Sequence, residues 1–276
     1  MLRAPVVSIS HGGGPLPLLG DPIHASLTHS LKNRIPDILR LATSPPSAII
    51  VVTAHWEEAK PTISSGAKHA LLYDYGGFPP ESYNLNYDAP GSPSLAAQIQ
   101  HSLQQHGFSP RLDPTRGWDH GVFVPFLLIN PAANIPIVQM SVLKNQDAAA
   151  HFRLGRALAP FREQNVAIVG SGFASMHHLP NMFRLMNNSG DTSLLKNKSA
   201  AWSDALSSAV LNPDRATRET ALTNWRDFPN SYDMHPRNAA EHLLPLLVCA
   251  AAAGDEQAHA FKDDFAGVDV WSYYWP

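Results

Sequence analysis

Residues 47–54 read SAIIVVTA, and the chain runs straight on into His55, Trp56 and Glu57. The run is short, almost continuously apolar and rich in β-branched residues, the pattern of a strand covered on both faces. Three further stretches share it: PVVSIS (5–10), IPIVQMSV (135–142) and NVAIVGS (165–171). Helix-like segments lie between them. Residues 29–43 are amphipathic but interrupted at Pro36, residues 92–107 open on a serine cap and end at Gly107, and residues 147–161 open on an aspartate cap. This alternation predicts an α/β fold with a central, mostly parallel sheet flanked by helices. Later helices are expected over 198–211, 214–225 and 238–253. No repeat, low-complexity segment or linker divides the chain, so residues 1–276 are read as a single domain.

Composition narrows the partners. A chain of 276 residues with 44% hydrophobic and 16% charged residues has the make-up of a water-soluble globular protein. A formal net charge of −3 with no run of like charge argues against nucleic acid or an anionic membrane as partner. No apolar stretch reaches the roughly 18–20 residues of a membrane span, and no leader pattern precedes the first strand-like run. A cytoplasmic location is the expectation. Cys249 is the single cysteine, which excludes an internal disulfide and a cysteine-based zinc cluster.

Fourteen histidines are present. His24, His29, His69, His101, His106, His151 and His259 fall in polar or helix-surface contexts and are read as surface residues. Others stand where chemistry collects. In open parallel sheets ligands bind beyond the carboxyl ends of the strands, and three of the expected strands end in histidine-bearing segments. They run into SHGGGP (His11), TAHWE (His55) and GSGFASMHHL (His177 and His178). His120 in RGWDHGVFVPF and His242 in AAEHLLPLLV add to them. Imidazole suits iron, zinc, copper and nickel, and two or three protein ligands leave positions open for substrate. Glu241 and His242 are adjacent, and on a helix neighbours point about 100° apart. Only one of them would then face a metal, and spacing does not choose. Pro245 puts this segment in the first turn of a helix or in a kink.

His-Gly-Gly-Gly also occurs in lipases, where backbone N–H groups form an oxyanion hole. That reading fails here. No G-x-S-x-G nucleophile elbow occurs in the chain, and HGGG follows the first strand rather than a later one. GSGFAS lacks the third glycine of a dinucleotide fingerprint. The segment LLYDYGGFPPESYNLNYDAPGSP (71–93) is long and rich in Tyr, Gly and Pro. Long ordered loops are commonly functional. Tyr73, Tyr75, Phe78, Tyr83 and Tyr87 either line an aromatic pocket or staple the loop to the body.

Together SHGGGP, VVTAHWE, YDYGGFPPESYNLNYDAPGSP, RGWDHGVFVPF, PIVQMSV, VGSGFASMHHL and HPRNAAEHLLPLLV resemble the class III extradiol ring-cleavage dioxygenases, in particular the LigB-like DOPA-4,5-dioxygenase branch. They follow the family's order from residue 10 to about 254. The resemblance implies a single catalytic domain with a mononuclear non-haem Fe(II) site, often isolated with zinc, that opens a catechol-type aromatic diol with O2. It implies His11, His55 and His242 as metal ligands. It implies His177 as the acid–base residue, or as a fourth ligand, and His120 as a histidine near the substrate. The family pattern has one residue fewer before the His177 histidine, so His178 is the slip alternative to His177, as Glu241 is to His242. In the implied chemistry a neutral histidine, His177, removes a phenolic proton. Two other readings use the same residues: a zinc-dependent hydrolase activating water, and a MEMO-like binding protein without catalysis.

Overall fold

A computed structural model describes residues 3–276. Eight strands form one sheet in the order β4-β3-β5-β2-β6-β1-β8-β7. They are β1 (Val6–Ser10), β2 (Ala48–Glu58), β3 (Thr62–Ser64), β4 (Arg111–Asp113), β5 (Ile137–Leu143), β6 (Val166–Gly172), β7 (His259–Phe265) and β8 (Val268–Trp275). The four runs expected from the sequence make the centre, where β5, β2, β6 and β1 pair in parallel. Antiparallel pairing appears only toward the edges, between β3 and β5, β1 and β8, and β7 and β8.

The apolar runs are continuous because each face of the sheet has its own core. Ile50 and Val52 of β2 join Ile168 of β6 in one core, with the helices Pro93–Gln105, Ala148–Leu158, Ser193–Val210 and Leu244–Ala252. Ile49 and Val51 join Val7 and Val169 in the other, with Leu27, Leu31, Ile35 and the helix His120–Ile129. Successive residues of one strand thus enter opposite cores, as the period of two requires.

Four strands were not expected. Strands β3 and β4 have three residues each and carry no pattern. The β7–β8 hairpin turns on Ala266 and Gly267, whose φ values are 52° and 77°. Such two-residue hairpin turns need positive φ at both positions and usually carry Asn-Gly or Asp-Gly; alanine gives no such signal. The charged Lys262, Asp263 and Asp264 further obscure β7. The expected strand at 47–54 also continues to Glu58. Its pairing with β5 slips between Thr53 and Glu57, so Ala54, His55 and Trp56 bulge out of the ladder.

Several helices differ from expectation as well. In place of 29–43, helical turns run from Ala25 to Ile38, with a π-type turn over Ser30–Arg34 that ends two residues before Pro36. The helix expected over 238–253 forms only over Leu244–Ala252, with Pro245 in its first turn. The segment RGWDHGVFVPF starts an unforeseen helix at His120. Among the described residues no helix is long and apolar enough to cross a membrane.

Helix Leu244–Ala252 lies tightly on helix Ala148–Leu158. A Cβ at Gly155 would stand 2.2 Å from the Val248 carbonyl oxygen and 2.6 Å from Ala251 Cβ. Alanine in place of a helical glycine normally gains about 1 kcal/mol, whereas overpacking a core costs about 1–3 kcal/mol. The obstacle here is backbone, so the clash decides. Gly155→Ala is expected to lower the urea midpoint of unfolding, despite its better helix propensity.

Candidate metal centre

The strand β6 ends in Gly170-Ser171-Gly172, and its alternation organises the site. Ser171 faces the helix His120–Ile129. Its hydroxyl donates to the Gly121 carbonyl and accepts from His11 Nδ1 at 2.9 Å. That carbonyl is available because Pro125, four residues on, has no N–H to offer it. The two glycines face the other way. A Cβ at Gly170 would meet the Pro245 carbonyl oxygen at 2.7 Å, and one at Gly172 would meet the His242 carbonyl oxygen at 2.3 Å. Phe173 N donates to that same His242 carbonyl at 3.0 Å. The glycines therefore let the turn carrying His242 lie directly on the strand.

Three imidazoles converge. His55 Nε2 lies 3.0 Å from His11 Nε2 and 3.2 Å from His242 Nε2. Each Nδ1 faces an oxygen instead: Ser171 Oγ for His11, Glu241 Oε1 at 2.9 Å for His242, and Asp74 Oδ2 at 3.6 Å for His55. Protons on the three Nδ1 atoms leave the three Nε2 lone pairs free, in a set whose possible ligand atoms lie within 4.8 Å of one another. Burial is the first cause that holds His11 and His242 well below the ordinary histidine range, and brings His55 to about 3; neighbouring imidazoles add to it. All three are thus neutral at pH 7, the form that can ligate a metal.

Glu241 and His242 lie in a turn ahead of the helix, so the helical angle between neighbours does not apply to them. Glu241 Oε1 reaches His242 Nδ1 and also His177 Nδ1, the latter at 3.2 Å. Burial is the largest influence on the Glu241 carboxyl and would raise it; the hydrogen bond from His177, its own backbone N–H and the charges of His177 and His235 together outweigh it and lower the pKa. The His177 ring stacks on His242 with centroids 3.3 Å apart and planes 16° apart. His178 points elsewhere and caps the helix Leu179–Met186, accepting from Asn181 N at 3.3 Å. His120, the first residue of its helix, holds its ring 3.8 Å from that of His55. Its main-chain N and its Nδ1 both bond Asp74 Oδ1, at 3.0 and 2.8 Å. Burial would raise the Asp74 carboxyl, but its bonds to His120 lower it. Beneath these, the buried Asp119 accepts from Thr53 Oγ1, Gln139 Nε2 and Arg116. Burial, followed by repulsion from Asp74, pushes its pKa up to about 6.

Two histidines read as surface residues are buried. His24 Nε2 accepts from Gly13 N at 3.0 Å and its Nδ1 lies 2.6 Å from Asp21 Oδ2, so it braces the HGGG turn from inside. His151 accepts from Leu143 N and bonds the Asp147 carbonyl, closing the end of β5. In both cases the polar flanking sequence hides a partner supplied by backbone. The aromatic loop staples itself through Tyr73 to the Leu85 carbonyl and Tyr75 to the Ser82 carbonyl. Tyr75 also stands 5.7 Å from the His120 ring, and Phe78 packs on Gly14, where φ is 52°. A groove of about 830 Å³ at the amino ends of β2 and β5, lined by Pro45, Pro46 and Pro136, contains no histidine.

Neutral imidazoles gathered at the carboxyl ends of parallel strands form, in an α/β fold, a cluster able to hold a metal ion. The family model described as the catalytic LigB subunit of aromatic ring-opening dioxygenase matches residues 7–273, and the chain belongs to this family. It is an extradiol-type dioxygenase by that membership and by its relatives. It is similar to dioxygenase tasH of Hapsidospora irregularis, 48% identical over 281 residues, covering 99% of this chain and 85% of that protein. It is 37% identical to a 4,5-DOPA dioxygenase extradiol of Beta vulgaris over 224 residues, 78% of this chain and 76% of that one. Among solved structures, an uncharacterized protein of Escherichia coli K12 superposes with a TM-score of 0.75 at 26% identity, covering 99% of this chain and 100% of that one.

The contact between β6 and the His242 turn is open to test. Gly172→Ala is expected to destabilise the fold by about 1–3 kcal/mol and to displace His242. Chemical denaturation and a crystal structure of the variant would report both.

Proposed function

We propose that this protein is a non-haem Fe(II)-dependent extradiol dioxygenase that opens the ring of a catechol-type substrate with O2. In this reading His11, His55 and His242 hold the metal. The observation that carries it is the convergence of three Nε2 atoms whose Nδ1 partners are all supplied by the protein. Donors about 2.0–2.1 Å from one tetrahedral ion lie roughly 3.3–3.4 Å apart, close to the 3.0 and 3.2 Å spacings. A carboxylate behind each ligating imidazole, or a hydroxyl in its place, is the usual outer support of a metal histidine. Iron(II) bound there would bring catechol and O2 together and let electrons pass between them; zinc would fit the same donors.

The chain's own residues handle orientation and protons. His177, its Nδ1 toward Glu241, offers Nε2 as a base for a phenolic proton, and the Glu241 carboxylate stabilises the imidazolium that forms. This favours His177 over His178, which is occupied as a helix cap, and Glu241 as a support rather than a ligand. His120, protonated at Nδ1 against Asp74, offers Nε2 as an acceptor for a substrate hydroxyl. Tyr75 and Phe78 give the ring an apolar flank beside the Gly12–Gly14 turn. The relatives' names make DOPA a first substrate to try, and residues 1–276 are read as one catalytic domain. Family membership favours this reading over a zinc hydrolase or a non-catalytic binding protein.

Protein reconstituted anaerobically with Fe(II) and then given DOPA, 4-methylcatechol or catechol with O2 should consume oxygen and form a yellow ring-opened product. Metal-loaded protein that consumes none across such a panel would overturn the dioxygenase reading. His11→Ala and His55→Ala are expected to lose the metal. His177→Ala should keep most of it while turnover falls by about 10²–10⁴, the usual contribution of a general base; metal analysis beside oxygen-uptake rates separates the two classes.

A further inference from the structure

Asp74 belongs to none of the strand-end segments and lies in the aromatic loop, yet it reaches the centre of the site. The residues on either side of it fix the loop: the Tyr73 hydroxyl bonds the Leu85 carbonyl at 3.0 Å and the Tyr75 hydroxyl bonds the Ser82 carbonyl at 2.6 Å. Just upstream, Leu72 N donates to the Trp118 carbonyl at 2.7 Å, tying the loop to the segment that leads into His120. The carboxylate between these anchors has two distinct sides. Its Oδ1 takes both the main-chain N and the Nδ1 of His120. Its Oδ2 faces His55 Nδ1 at 3.6 Å, beyond a hydrogen bond but within direct charge–dipole range.

We infer that Asp74 is a positioning residue for the metal centre, holding His55 in the form protonated at Nδ1 while it tethers His120. This rests on the reading of His55 as a metal ligand. The physical reason is polarity. An imidazole can give Nε2 to a metal only when its proton sits on Nδ1, and an acceptor facing Nδ1 favours that form. The two other Nε2 donors have oxygen partners of their own in Ser171 and Glu241; for His55 the facing oxygen comes from the loop. Metal binding and loop order are thereby linked through one carboxylate.

Asparagine separates positioning from simple tethering. The His120 main-chain N–H can only donate, so the amide oxygen of an Asp74→Asn side chain must stay on it. The amide NH2 is then turned toward His55 Nδ1, where a donor favours the proton on Nε2 and opposes ligation. The loop tether survives and the polarity at His55 inverts. His120→Ala does the converse: it removes the side-chain half of the tether, keeps the main-chain N–H on Oδ1, and leaves the carboxylate facing His55.

The measurement is zinc(II) affinity of the full chain by competition with a chromophoric chelator, with thermal unfolding of the metal-free proteins beside it. Asp74→Asn is expected to lose about 10–100-fold in affinity, the range for loss of an outer partner of a metal histidine, while its metal-free unfolding temperature matches the wild type. His120→Ala should stay within about threefold of wild-type affinity on the same reasoning. Wild-type affinity in Asp74→Asn, or equal losses in both variants, would overturn the positioning role and leave the metal site standing. Zinc bound by wild-type protein and undiminished in His55→Ala would overturn the ligand reading itself.

Discussion

Everything in the site depends on keeping three neighbouring imidazoles, buried His11 and His242 and half-buried His55, neutral and in one tautomer. Left unsupported, each ring would divide its proton between two nitrogens, and the Nε2 atoms of His11 and His242, each about 3 Å from that of His55, would alternate between donors and acceptors. Oxygen atoms behind the rings remove that freedom. Ser171, Glu241 and Asp74 come from a strand, a turn and a long loop, so the cluster ties together elements far apart in sequence. Burial works in the same direction, since a charged imidazole is disfavoured away from water and beside other imidazoles.

Proline and glycine do much of the local shaping. Pro125 frees the Gly121 carbonyl, which gives Ser171 a place to donate and so orients its lone pair toward His11. Gly121 itself lets the helix approach β2, since a Cβ there would meet Thr53 Oγ1 at 2.7 Å and His55 Cδ2 at 3.0 Å. On the far side of β6, Gly170 and Gly172 admit the backbone of the His242 turn. These residues touch no metal and hold no proton, but they set the distances at which the imidazoles meet. In the same way the bulge in β2 lifts His55 out of the ladder and aims it off the end of the sheet, a recurrent use of bulges near active sites.

Of the two tasks its composition suggested, the aromatic loop shows the stapling. The Tyr73 and Tyr75 hydroxyls are spent on the loop's own carbonyls, which stiffens it, while Tyr75 and Phe78 turn their rings toward His120 and the glycine turn. A stiff loop can carry Asp74 into place with little ordering left to do, and preorganisation of this kind is what a precise outer support of a metal needs.

The parallel centre of the sheet was legible because strands buried on both faces must be apolar at nearly every position, and SAIIVVTA, PVVSIS, IPIVQMSV and NVAIVGS are. The histidines at three strand ends were legible for a related reason: parallel strands end together, so residues just beyond them become neighbours. The choice between Glu241 and His242 was not, because it turned on where a helix begins, and the turn before Leu244 let both residues take part. His24, His151 and Asp74 were hidden too, since their partners are backbone groups or histidines distant in sequence. The sequence by itself determined the parallel centre of the sheet, the family and the set of candidate imidazoles through local pattern and residue chemistry. Which nitrogen of each ring faces inward, and which carboxylate stands behind it, was decided only by tertiary structure, because a tautomer is set by the atom that packs against it.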